Sequence, residues 1–385
     1  MTSDWTPVFV LPNIPLEAAI GCDVAALAPA HDPRVTALKR AHPMFRRFLN
    51  RFADNFGAKF EPSVLLLDTA APAVFREIGT LASFRDLIAL ATVTRGRALE
   101  LRFPRRHRIV FGEAFAIYPW MLDRHYEDMI GSTPAILGTH EVARFKGQSS
   151  PMLFRTQLGN SDVDQPLLAA LMERWRRRYE ASQPAWEDVA LMRSLNMAYQ
   201  ASLLPAGTDT TFYDVGRIVS LWVSAFEILV HPGGNGQANR DKVFDLVERT
   251  PWEIPASGRL IYDTGGKTKV RRTLASWLYQ MLYDCRNDFF HGNPVERSNL
   301  LLATPQRSIF EYAAPLYRIA LTAFLPLPYL AAMPPSRDAA AFGAYIADHM
   351  DFMGPQKDAE EALLTATRLP EEHGTRRPRV MRPAP

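Results

Sequence analysis

Arg271 to Pro294 reads RRTLASWLYQMLYDCRNDFFHGNP. At about 100° per residue, Leu274, Trp277, Leu278, Met281, Leu282, Cys285 and Phe289 share one face, which the pattern assigns to a helical core. A second face carries Tyr279, Tyr283 and Phe290, edged by Arg286 on one side and by Asn287 and His291 on the other. A helix so patterned is suited to a core behind it and a partner in front. Gly292 and Pro294 mark its end, because Gly supplies a left-handed cap and Pro cannot continue the hydrogen-bond ladder.

The same period governs the chain beyond Pro166. It predicts helices over 166–181, 186–203, 211–230, 238–249, 267–291, 304–328 and 338–350, separated by Pro and Gly breaks such as that at 231–236. Upstream the pattern differs. Val64-Leu65-Leu66-Leu67 reads as a strand, and Phe75, Ile78, Leu81, Phe84, Leu87, Ile88 and Val93 as the helix after it. His107 to Tyr118 reads as a second strand or hairpin, and 131–165 as loops with room for one further strand. The expected class is mainly α: an α+β region over 1–165, a helical domain over 166–350 with its core at about 186–330, and an extension over 351–385. From residue 369 the extension combines Pro and Arg with almost no large apolar side chains, the composition of a disordered tail.

With 385 residues, 47% apolar and 22% charged, the chain has the balance of a folded globular protein of about two to three domains. A net charge of +3 is too small to make the whole surface bind phosphate, so any nucleic-acid site must be local. Cys22 and Cys285 are the only cysteines, which excludes a disulfide framework and a multi-cysteine zinc site and points to a reducing, cytoplasmic compartment. The first residues lack a basic n-region and are broken by Pro7, Pro12 and Pro15, so export is not expected. The apolar stretches end well short of the roughly 20 residues of a membrane span, so no membrane partner is expected either.

Arg286 and His291 fall in the last turn of the 267–291 helix, where carbonyls without partners favour positive charge. A guanidinium can hold a phosphate oxyanion and an imidazole can take or give a proton, which together suffice for metal-free RNA cleavage by the ribose 2′-hydroxyl. Taken together, Arg286-Asn287-Asp288-Phe289-Phe290-His291-Gly292 resembles the Arg-polar-x3-His motif of the HEPN superfamily, in its Apea-like group. The helix from Val219 to Leu229 is similar to that group's earlier core helix, which commonly carries a Glu where this chain has Glu227. The resemblance covers about residues 186–330. It implies a helical bundle that dimerises through the motif helices, so that two Arg/His pairs form one composite ribonuclease site. Arg286 and His291 match the motif's ends and Asn287 its second polar position, while Glu227, Asp288 and Tyr283 are candidate supporting residues. Neither a metal nor another cofactor is implied, and microbial toxin or antiviral defence is the context the family suggests.

Other basic residues are candidates for holding RNA. Arg105, Arg106 and Arg108 lie among aromatic neighbours, and Lys267, Lys269, Arg271 and Arg272 open the motif helix. The latter four stand about 20 Å or more from Arg286 at 1.5 Å per residue, so they could hold flanking RNA but not the scissile phosphate. The Arg174 to Tyr179 cluster reads as a solvated helix face with Trp175 turned inward. Thr264-Gly265-Gly266-Lys267-Thr268 lacks the first Gly of a phosphate loop, since Ile261 stands there, and no Gly-x-Ser-x-Gly or His-Glu-x-x-His pattern occurs. The expectation is a metal-independent, homodimeric endoribonuclease whose first 165 residues recognise substrate, a partner protein or a trigger. Its alternatives are a non-catalytic dimerisation or RNA/nucleotide-binding module, and a sensor subunit controlling another effector.

Overall fold

The structure is a computed structural model that describes residues 4–14, 16–53, 57–103, 114–115, 120–123, 125–132, 137–144, 159–203, 211–265, 270–302, 307–327, 334–335 and 337–367. Its first strands are β1 (Trp5–Leu11), β2 (Ile20–Gly21), β3 (Ala25–Ala28) and β4 (Ser63–Asp68), paired antiparallel in the order β1-β4-β3-β2. The aliphatic run of β4 is apolar at every position because both faces are covered. Leu65 and Leu67 join Phe9, Leu11 and Leu27 in the main core, while Val64 and Leu66 face a second core. That second core is closed by α1 (Pro33–Ala41) and α2 (Pro43–Leu49) through Val35, Leu38, Phe45, Phe48 and Leu49. Each of these helices opens on a proline, whose missing N–H is one a first turn leaves unpaired anyway. Pro7 is tolerated in β1 because that strand lies at the sheet edge and its register shifts between Pro7 and Phe9.

On the other face of the sheet lies α3 (Ile78–Arg102), whose buried residues surround it on all sides. A helix apolar all round belongs in the middle of a bundle. Around α3 pack α4 (Gln165–Glu180) and α5 (Trp186–Leu203), with α6 (Phe212–Leu229), α7 (Arg240–Glu248) and α8 (Leu274–Phe290) beyond them. The bundle is completed by α9 (Ala313–Phe324) and α10 (Ala339–Leu364), both against α3. A small sheet of β5 (Trp120–Leu122), β6 (Asp128–Ser132) and β7 (Leu137–Glu141) lies between the two groups in sequence. The described residues thus form a mainly α fold with an α+β N-terminal region. No described helix is long and apolar enough to cross a membrane.

Three features depart from the sequence expectation. The helix expected from 267 begins at Leu274, because β8 (Tyr262–Asp263) pairs with β9 (Arg271–Arg272) and Thr273 then caps α8 by accepting from the Ser276 N–H at 3.3 Å. The helix expected to stop at 350 continues to Leu364 through Pro355, and buries Phe352, Gln356, Glu360 and Leu363. That stretch is core, not extension. Finally, the main core does not divide at residue 165: Trp175 of α4 packs against Phe84 of α3 with ring centroids 5.1 Å apart and donates its indole N–H to the Thr80 carbonyl at 3.1 Å. The strand or hairpin expected over 107–118 lies outside the described residues except for Ala114 and Phe115, both buried.

Asp86, on α3, is 1% exposed and accepts from Arg85 Nε at 2.8 Å and Asn196 Nδ2 at 3.2 Å. Burial pushes its carboxyl up from 3.8 to about 6, with Arg85 and Asn196 opposing. Between about pH 4 and 6 the folded chain therefore keeps a proton the unfolded chain has released, and stability falls as pH rises through that window. Asp86→Asn removes this dependence. In urea denaturation its stability relative to wild type should rise by on the order of 3 kcal/mol between about pH 4 and 7. A difference that stays constant with pH would refute the assignment.

Candidate functional site

The last turn of α8 closes on the first turns of α6 because Gly216 has no side chain. A Cβ there would stand 2.9 Å from the Phe289 ring, a distance real packing does not allow. Phe212 adds a ring at 5.8 Å from Phe289 and fixes this end of the helix pair. Arg286, one turn earlier on α8, reaches Glu227 on α6. Its Nη2 donates to both carboxylate oxygens, at 2.9 and 3.1 Å, and its guanidinium carbon lies 5.0 Å from the Tyr283 ring centroid. Both side chains are about a quarter exposed, at 25% and 24%. Burial raises the Glu227 carboxyl and the Arg286 charge opposes that rise. Among the described residues, Arg286 Nε and Nη1 donate to no protein group.

His291 is the C-cap of α8, and its N–H donates to the Asn287 carbonyl at 2.8 Å. Gly292 follows at φ +70°, which lets the Asn293 N–H turn back to the Asp288 carbonyl at 3.0 Å and close a Schellman-type end. Asn293 Nδ2 also donates to the Asp288 carboxylate at 2.9 Å, so Asp288 serves the turn. The His291 side chain is exposed and Asn287 is half-buried, and neither side chain has a partner among the described residues. Phe290, 68% exposed, stands beside His291.

The expected outward aromatic face is smaller than the pattern implies. Tyr279 is fully buried between Phe226 at 5.2 Å and Phe244 at 6.1 Å, because α6 and α7 flank the first part of α8. Burial, with the Glu227 charge, holds its phenol well above the ordinary tyrosine value. Trp277, Met281 and Phe289, assigned to the core by the pattern, are half-buried. What remains at the surface is the cluster of Tyr283, Arg286, Asn287, Phe290 and His291. Cys285 is 8% exposed and burial pushes its thiol up to about 12, the state of an inert core residue.

Of the residues considered for holding RNA, Arg271 is exposed on β9 with Nη1 at 3.4 Å from the Ile261 carbonyl. Arg272 is occupied: Nη1 donates to Glu248 at 2.9 Å and the guanidinium lies over Phe244 at 4.8 Å, fastening α8 to α7. Lys267, Lys269, Arg105, Arg106 and Arg108 lie outside the described residues. In the 174–179 cluster, Arg174 and Arg177 pair with Asp188, Arg176 pairs with Asp23 and Glu180, and Trp175 points inward as expected. Comparison of the chain with protein-family models, with curated proteins and with solved structures finds no match.

Proposed function

We propose that this chain is a metal-independent endoribonuclease of HEPN type that works as a homodimer in the cytoplasm. The observation that supports it best is the Glu227–Arg286 pair, in which one nitrogen of the guanidinium is anchored and the other two have no partner among the described residues. Held in this way, Nε and Nη1 can donate to the non-bridging oxygens of a phosphate without first having to leave a protein partner. His291, exposed on the same turn, takes the proton of the ribose 2′-hydroxyl as O2′ attacks phosphorus. The bond from phosphorus to the 5′ oxygen then breaks, and that oxygen takes a proton from the second chain's imidazole. The products are a 2′,3′-cyclic phosphate and a 5′-hydroxyl.

Asn287 orients the phosphate or the imidazole, and Tyr283 stacks beside Arg286. Phe290 at 68% exposure and Tyr213 at 80%, both next to the Phe212–Phe289 contact, supply apolar surface for the second copy to cover. The α+β region would recognise the substrate, a partner protein or a trigger. Purified protein incubated with RNA in EDTA should cut it and leave cyclic phosphate ends. His291→Ala should lower the rate by about 10²-fold or more while the dimer survives in sedimentation. A well-folded dimer that leaves RNA intact would shift the assignment to a non-catalytic RNA-binding or dimerisation module, or to a sensor subunit.

A further inference from the structure

Away from that site, α2 and the chain just after it border a groove of about 530 Å³ lined by Pro43, Met44, Arg46, Arg47, Arg51 and Lys59, together with Asn50. Arg46, Arg47 and Lys59 are exposed and Arg51 is half-buried, and none of the four side chains has an ion pair, hydrogen bond or ring partner among the described residues. Their neighbours are treated differently: Lys39 reaches Glu61 at 3.6 Å and Arg34 is clasped by Asp32 at 3.0 Å. The groove thus holds four positive charges without an ion-pair partner among the described residues, in a chain whose net charge is +3. Cations in the last turn of a helix are favourable, which accounts for Arg46 and Arg47, but Arg51 and Lys59 lie beyond that turn. Like charges gathered in a concave surface repel one another and focus a positive field, an arrangement suited to a polyanion.

We propose that this groove binds the phosphate backbone of a nucleic-acid strand. That the strand is RNA rests on the ribonuclease reading; that it is a phosphate polymer follows from the groove. An anionic membrane suits the surface less well. Phe45, Phe48 and Leu49 of α2 are at most 1% exposed in the second core and Met44 is half-buried against it, so the helix offers no fully exposed apolar side chain for insertion into a bilayer. The sequence motifs did not mark these residues, since MFRRFLNRF at 44–52 resembles an ordinary amphipathic helix and its arginines stand out only when their lack of partners is seen.

The test is the anisotropy of a fluorescent single-stranded 20-mer RNA over a range of salt, with wild type, Arg46→Gln/Arg47→Gln and the four-site Gln variant of Arg46, Arg47, Arg51 and Lys59. Circular dichroism and thermal melting confirm that each is folded, and the double variant, at two exposed positions, keeps the test valid if the quadruple one is not. The log–log salt slope should become shallower by about 1.4 in the double variant and by about 3 in the quadruple one, with affinity falling at least tenfold at low salt. Arg286→Ala/His291→Ala should cut nothing yet keep most of this binding, which separates the groove from the proposed cleavage site. Unchanged affinity and slope in the folded groove variants would overturn the proposal, as would groove-dependent binding to phosphatidylserine vesicles without binding to RNA.

Discussion

Asp164→Ala should destabilise the protein by about 3–5 kcal/mol in urea denaturation, because it strands a buried guanidinium. Arg318 of α9 is 1% exposed, and its Nε donates to the fully buried Asp164 carboxylate at 2.9 Å. Nη1 donates to Thr322 at 3.0 Å and to Gln356 of α10, the guanidinium lies over Phe352 at 5.2 Å, and Nη2 has no acceptor among the described residues. Asp164 also accepts from the Leu167 N–H at 3.3 Å as the N-cap of α4, and its own N–H donates to the Ala91 carbonyl of α3 at 3.0 Å. Asp164 thus ties α3, α4 and α9, and α10 joins through Arg318. Asp164→Asn keeps an oxygen for the cap and should cost less than Asp164→Ala. Joining it with Arg318→Met removes the charge from the interior and should recover part of the loss, since a buried pair replaced as a whole is far less costly than one broken. A result for Asp164→Ala within 1 kcal/mol of wild type would show that water reaches the pair.

The same network explains what the sequence could and could not reveal. From residue 165 on, most helices are legible because each buries one stripe and ends at a Gly or Pro, and α4, α5 and α6 fall close to their expected spans. β4 is legible because four adjacent aliphatic residues have no surface role. The strands around it are not: β2 has two residues, β3 is Ala-Ala-Leu-Ala with the composition of a helix, and β1 carries Pro7. Only pairing with β4 makes them strands. Pro355 looks like a stop, yet α10 passes through it because Phe352, Gln356 and Glu360 are bound on the far side. In the candidate site, Arg286 and His291 could be picked out by their place at the helix end, and Glu227 through the family resemblance. The burial of Tyr279 could not, because it depends on α7 lying across α8, which no local period encodes.

On the proposed ribonuclease reading, Arg286→Ala should lower RNA cleavage by about 10²–10³-fold, the usual cost of removing a donor that stabilises a developing oxyanion. Stability should change far less, because the Glu227–Arg286 pair is about a quarter exposed and water can solvate whichever partner remains. Arg286→Lys keeps the charge but not the fork, and cannot hold Glu227 and a phosphate at once, so it should recover little of the rate. Glu227→Ala leaves Arg286 free to swing on its own stem, with the Tyr283 ring beside it. Cleavage should fall, but by less than in Arg286→Ala, since some conformers still reach the phosphate. In the double variant Glu227 has nothing left to position, so Glu227→Ala/Arg286→Ala should cut no more slowly than Arg286→Ala alone. Two independent losses that multiply would mean that Glu227 touches the substrate itself. Equal stability losses and equal rate losses across the series would mean that the pair only braces α6 against α8, and that the chemistry belongs elsewhere on the chain.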